Sequence, residues 1–321
     1  MGCNINLQEE VMKKTAALSL AILFLLVSAA TVFAGEVLTV KKIAAAPGVD
    51  GVPDALWAGI PATVIKVERV PEGLVNVNKD KQKGKYAGQW AKTGYTTVAE
   101  VELKAAYTAD SIFFLAKWKD ATKDDKHKPF VWTGTKEAGE YKDGPQSEDR
   151  LAFEFPIKGE FDACMLTPME ATTDVWQWKA ARTHPIGLIQ DKWHLYSKSE
   201  PKGKFSTHYA GDGSMVYIVR PDDGNVAPYT ENKVDPFVYQ GDEVPKYVPT
   251  KPADADASDV AAKGVWADGF WTVEIGRKLD TGHPETDTVF GKDSQFRIAV
   301  FDHAGDHFHA GSQMVKMVYE K

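Results

Sequence analysis

The sequence predicts an all-β protein, an antiparallel sandwich or barrel. Three observations carry this. Short apolar runs alternate with turn-rich stretches. Long amphipathic repeats of the helical kind are hard to find. Nine Trp and eleven Tyr suit pleated, half-buried surfaces. In chain order, residues 98–108 alternate in part, and 111–118 (SIFFLAKW) are strongly apolar, with Ala109-Asp110 as the turn between them. Residues 150–156 put Leu151, Phe153 and Phe155 on one face. Runs at 214–220, 269–276, 295–301 and 313–319 continue the series. Two stretches read as insertions. Residues 71–94 are rich in Lys, Gly and Asn with little apolar periodicity, and 222–263 are rich in Pro and Asp. No internal repeat is visible, so one domain over 35–321 with these insertions is the simplest organisation.

The N-terminus reads as an export signal over residues 1–34. Lys13 and Lys14 precede an apolar run from 16 to about 27, followed by small residues up to Ala34. The run is short for a membrane span. The expectation is a periplasmic protein, cleaved after Ala34. The formal net charge is −7, from 38 Lys+Arg against 45 Asp+Glu. Such a balance argues against a nucleic-acid partner. With only Cys3 and Cys164, an Fe–S centre ligated by four cysteines and a disulfide framework are excluded. Removal of the signal would leave Cys164 alone.

No P-loop, dinucleotide fingerprint or Gly-x-Ser-x-Gly is present. Covalent haem attachment needs Cys-x-x-Cys-His, and Cys164 lacks those partners. The densest stretch runs from Phe161 through Met165, Pro168 and Met169 to Trp176, Trp178 and Lys179. Pro168 disfavours a helix there, so the two Met sit on a loop. Trp176 and Trp178 share one side of a strand. They could wall a flat ligand, although core packing is the commoner use of Trp. His303, His307 and His309 form a polar group with Asp302 and Asp306, with donors that suit a transition metal. A solvated loop is the plainer reading.

Met-x-x-Pro followed by Asp174-Val-Trp176-Gln-Trp178-Lys179-Ala-Ala-Arg182 resembles the haem-binding domain of ethylbenzene dehydrogenase gamma subunits. Asp50-Gly51…Trp57, Ile112…Trp118, Ser147-Glu148-Asp149-Arg150, Phe270-Trp271…Arg277-Lys278-Leu279 and Ile298…Asp302 agree with that family in order and spacing. The resemblance implies a β-sandwich, immunoglobulin-like or like a carbohydrate-binding module, with one non-covalent haem b. It implies a Met and a Lys as axial ligands, matching Met165 and Lys278. Met169 and Lys179 are the rivals, and His184 or His194 would serve if the Met/Lys pair fails. Cys164 is expected to be a buried free thiol. The implied function is non-catalytic. The chain would be an electron-transfer subunit of a periplasmic molybdenum oxidoreductase, beside an Fe–S (beta) subunit and a molybdopterin (alpha) subunit. A soluble c-type cytochrome or membrane carrier would exchange electrons with it. Ligation by Lys is demanding, because an amine of reference pKa about 10.4 must lose its proton to bind iron. The alternative is a haem-free, secreted carbohydrate- or ligand-binding sandwich, since exposed Trp also stack on sugars.

Overall fold

A computed structural model describes residues 36–81, 96–220, 227–305 and 308–321. The export-signal segment lies outside these residues. Nineteen strands and one α-helix are described. In chain order they are β1 (Val37–Lys42), β2 (Thr63–Arg69), α1 (Glu72–Lys81), β3 (Glu100–Tyr107), β4 (Ser111–Lys119), β5 (Phe130–Gly134) and β6 (Gly139–Asp143). Then come β7 (Arg150–Gly159), β8 (Ala171–Lys179), β9 (Gln190–Ser197), β10 (Ser206–Tyr209), β11 (Met215–Val219) and β12 (Tyr229–Glu231). The last are β13 (Glu243–Val244), β14 (Tyr247–Pro249), β15 (Ala261–Ala267), β16 (Phe270–Lys278), β17 (Ser294–Phe301), β18 (Ala310–Ser312) and β19 (Val315–Tyr319).

Fourteen strands form one sheet folded on itself into two layers. The first layer runs β15-β16-β4-β3-β2, with β1 and β19 beside it. The second runs β10-β11-β9-β8-β7-β17-β18. The layers join where β18 pairs β2 and where β17 pairs β19. Pairing is antiparallel except at β1, which lies parallel to both β19 and β3. The all-β sandwich expected from the alternation is the observed fold.

Parity along each strand decides what faces the core. Phe114 and Trp118 of β4 meet Phe153, Phe155, Trp176 and Trp178 of the opposite layer. Rings of Phe155 and Trp176 stand 4.9 Å apart, and those of Trp178 and Trp271 also 4.9 Å. Edge-to-face aromatic pairs of this kind add to the burial of large apolar surfaces. Pro156 sits where β7 slips register against β8, between Pro156 and Lys158. A bulge is where a strand tolerates a residue without an N–H. Gly159, at φ 87°, ends the strand; a Cβ there would lie 2.1 Å from the Glu170 carbonyl. Only glycine lets the following loop leave at that angle.

Both insertions contain more order than their composition suggested. The first holds α1, whose Leu74 and Val75 are buried. The second carries β12, β13 and β14, and β15 already begins at Ala261, inside its expected bounds. Among the described residues no helix is long and apolar enough to cross a membrane. Truncating Phe155 to Ala removes a ring from the centre of the core. Urea unfolding is expected to lose about 3–5 kcal/mol, with the fold retained.

Candidate functional site

The loop that carries both candidate Met residues folds back over the outer face of the second layer. Asp162 organises it: Oδ1 accepts from the Cys164 N–H at 2.8 Å and from the Thr167 hydroxyl at 3.2 Å. The Asp162 carbonyl accepts from Arg297 Nη1 at 3.1 Å. Leu166 buries against Leu74 and Val75 of α1. Met165 is half-buried and packs against this cluster and against a second one of Met169, Ala171, Tyr196, Ala210, Val216 and Ile218. The helix is pinned above by Asn78, fully buried. Its side chain donates to the Tyr209 carbonyl at 2.9 Å and accepts from the Tyr209 N–H at 3.0 Å. Asn in mid-helix is tolerated because these bonds satisfy it.

Beneath the helix lies a buried polar group. Glu154 accepts from the hydroxyls of Tyr196 and Thr173, each at 2.7 Å, and from Arg297 Nε at 2.8 Å. Burial and the neighbouring Glu154 carboxylate hold the Tyr196 phenol protonated far above its usual range. His194 stands two residues from Tyr196 on this same face of β9 and pairs across to Thr173. It is buried, and neither ring nitrogen has a hydrogen-bond partner. Burial first, then the cations Lys192, Arg220 and Arg297, push its pKa well down. His194 is therefore a neutral imidazole, the form that binds metals. His208 lies on the same face, paired to Val216 of β11.

The other predicted residues lie elsewhere. Trp176 and Trp178 are fully buried in the sandwich core, packed by Phe155 and Trp271. Parity puts them between the sheets. Lys278 is exposed. It pairs with Ser111 and follows Arg277, whose side chain enters the core, so Lys278 points from the outer face of the first layer. Stacked sheets are about 10 Å apart, and Met165 lies on the far side of the second. The two side chains therefore face away from each other, from opposite layers. Lys179 is buried and its amine is driven well below the usual range by desolvation and by Arg182. It contacts Gln190 and, at 3.0 Å, the Tyr229 hydroxyl. Eight residues of strand separate it from Ala171, about 26 Å at 3.3 Å per residue, so it is remote from the Met end. His184 lies against Trp178 and Trp271 in the same remote region. Cys164 is half-buried on the Met165 loop, less deeply than expected; Cys3 lies outside the described residues.

His303 comes within 2.6 Å of Asp302 and 3.6 Å of Asp124. His309 stacks on Phe301 instead, at 5.0 Å. His307 lies outside the described residues. Nearby, burial and the neighbour Asp302 push the carboxyl of Asp120 up to about 6. Burial and Asp120 raise that of Asp149 to about 8.

The family model for ethylbenzene dehydrogenase matches residues 54–312. Among curated proteins nothing matches. Several solved structures are similar, among them the three that follow. A candidate carbohydrate-binding protein from Bacteroides uniformis is 10% identical, with 89% of this chain and 100% of that one covered, at TM-score 0.37. A family 9 carbohydrate-binding module from Caldicellulosiruptor kristjanssonii bound to glucose is 9% identical, covering 89% and 97%, at 0.34. With cellotriose it gives 9%, 89% and 95%, at 0.33.

Arg297→Met strands the Glu154 charge in the interior. A loss of about 3–5 kcal/mol in chemical unfolding is expected, and adding Glu154→Gln should recover most of it. The raised carboxyls fix the sign of a pH effect. The folded state holds protons on Asp120 and Asp149 that the unfolded chain has already released above pH about 4. Stability therefore falls as pH rises toward 8. Melting curves from pH 5 to pH 8 should show this decline, and it should be shallower in Asp149→Asn.

Proposed function

Because the chain belongs to the ethylbenzene dehydrogenase family, and so is an oxidoreductase-associated subunit, we propose that it is the non-catalytic haem b subunit of a periplasmic molybdenum oxidoreductase. In that role it relays single electrons between an Fe–S subunit and a c-type cytochrome or membrane carrier. The observation that carries the haem assignment is the helix-covered outer face of the second layer. It holds a thioether, Met165, and a buried imidazole with no hydrogen-bond partner, His194, on one surface. Both are established haem-iron donors, and a Met ligand raises the potential, as suits an electron carrier. The Met165–Lys278 pair implied by the family motifs does not fit, since Lys278 is exposed on the opposite layer. When bound, the haem would supply reversible one-electron chemistry. The chain's own residues would shield it from water, hold the donors and set the local charge through Glu154 and Arg297.

Loading the purified chain with haemin and recording its visible spectrum tests this. About one acid-extractable haem per chain, low-spin, is expected, non-covalent attachment following from the absence of Cys-x-x-Cys-His. Met165→Ala and His194→Ala should each shift it toward high-spin, and Lys278→Ala should leave it unchanged. A folded chain that stays colourless would end the haem reading and favour a haem-free binding module. Loss of the low-spin spectrum in Lys278→Ala alone would return that residue as the ligand.

A further inference from the structure

A second site lies on the core side of the second layer, across β8 and β9 from the Met165 surface. Asp174 of β8 and Asp191 of β9 share the inward face and meet Asp287 from the loop after β16. One carboxylate oxygen from each lies within 4.8 Å of the others. Asp256 and Asp259, on the turn before β15, form an overlapping group with Asp287. Five carboxylates thus converge on a place where few cations answer them. Arg277 Nη1 bonds Asp174 at 2.8 Å and stands 3.8 Å from Asp287. His283, half-exposed, stands 3.7 Å from Asp256.

The bonds inside the group do not use up its oxygens. Asp174 Oδ2 accepts from Arg277 and from the Thr288 N–H at 2.9 Å, but its Oδ1 has no partner. Asp191 is 5% exposed, and no N–H donor meets its carboxylate oxygens, which lie beside the Asp259 carboxyl. Carboxylate oxygens buried in this way are costly to leave unanswered. A cavity of about 120 Å³ opens beside them, lined by Asp191, Trp193, Asp256, Thr286 and Asp287, with Lys192 also in its wall. Burial and mutual repulsion push the Asp191 carboxyl well up and that of Asp174 to about 7.

We propose that Asp174, Asp191 and Asp287, with Asp256 and Asp259 around them, bind a Ca²⁺ ion in this cavity. The donors are all carboxylate oxygens, which suit hard cations and not the soft or borderline metals that favour sulfur and imidazole. Oxygens on opposite sides of Ca²⁺ stand about 4.6–5.2 Å apart, so carboxylate oxygens that all lie within 4.8 Å of one another can share one ion. The ion would tie β8 and β9 to the loop after β16 and to the turn before β15. It is independent of the haem reading, because the two sites lie on opposite faces of the same strands.

Terbium is the probe, since Trp193 lines the cavity and can sensitise its emission. The full chain is dialysed against EDTA, titrated with Tb³⁺ and competed with Ca²⁺, and melted with and without Ca²⁺. Emission saturating near one equivalent, displaced by Ca²⁺, is expected, together with an upward melting shift in Ca²⁺. Asp191→Asn should abolish both. In EDTA this variant should melt no lower than the unaltered chain, because it removes a buried charge; Asp287→Asn provides a second loss-of-binding variant. An unaltered chain that neither sensitises Tb³⁺ nor melts higher in Ca²⁺ would overturn the site. So would a Ca²⁺ shift that persists undiminished in Asp191→Asn.

Discussion

Aromatic packing between the two layers decides which surface every other residue reaches. Phe114, Phe153, Phe155, Trp176 and Phe296 fill the space between the sheets. Once these are inside, the two-residue period of a strand fixes the rest. Glu154 must face out from β7 because Phe153 and Phe155 face in. Thr173 and Lys179 must face out from β8 because Trp176 and Trp178 face in. The result is two outer faces with different fates. That of the first layer carries Trp57, Phe113 and Leu115 under the N-terminal segment. That of the second is roofed by α1 and by the loop holding Met165.

The same parity sends charge into the core at one end. Asp174, Asp191 and Arg277 occupy inward positions, and Arg277 bonds Asp174 across the gap between layers. A buried ion pair seldom stabilises more than an apolar substitute would. Its presence here, with carboxylates in excess, points to a specific use. On the outer face the balance is different. Glu154 is met by an Arg and two hydroxyls, so that network is closed and holds the floor beneath the helix rigid. His194 is the member of that surface whose polar atoms are left over.

Much of the fold was legible in the sequence. The runs at 111–118, 150–156 and 269–276 became β4, β7 and β16 with shifts of at most a few residues, because each is a dense apolar run of strand length, buried in its middle on both faces. α1 was not legible: its polar residues dominate, and Leu74 and Val75 are buried by tertiary contact with Leu166 rather than by a helical stripe. The family motifs pointed to Met165 and Lys278, yet the sequence held a signal against the second. Trp271, Val273 and Ile275 are the apolar positions of β16, and continuing their parity turns Arg277 inward and Lys278 outward. His194 could not be singled out in sequence, since its value lies in burial without partners, which depends on what the helix and the neighbouring strands cover. The acidic group was equally hidden, its five carboxylates being spread along the chain from Asp174 to Asp287 and gathered only by strand pairing.

Placed as proposed on the outer face of the second layer, a haem would take the His194 imidazole as a ligand. Pulsed EPR of the haem-loaded ferric protein, with histidine alone labelled by ¹⁵N, should then give strong ¹⁵N hyperfine coupling from a ligated imidazole, lost in His194→Ala. Coupling that appears only when lysine carries the label would overturn this placement.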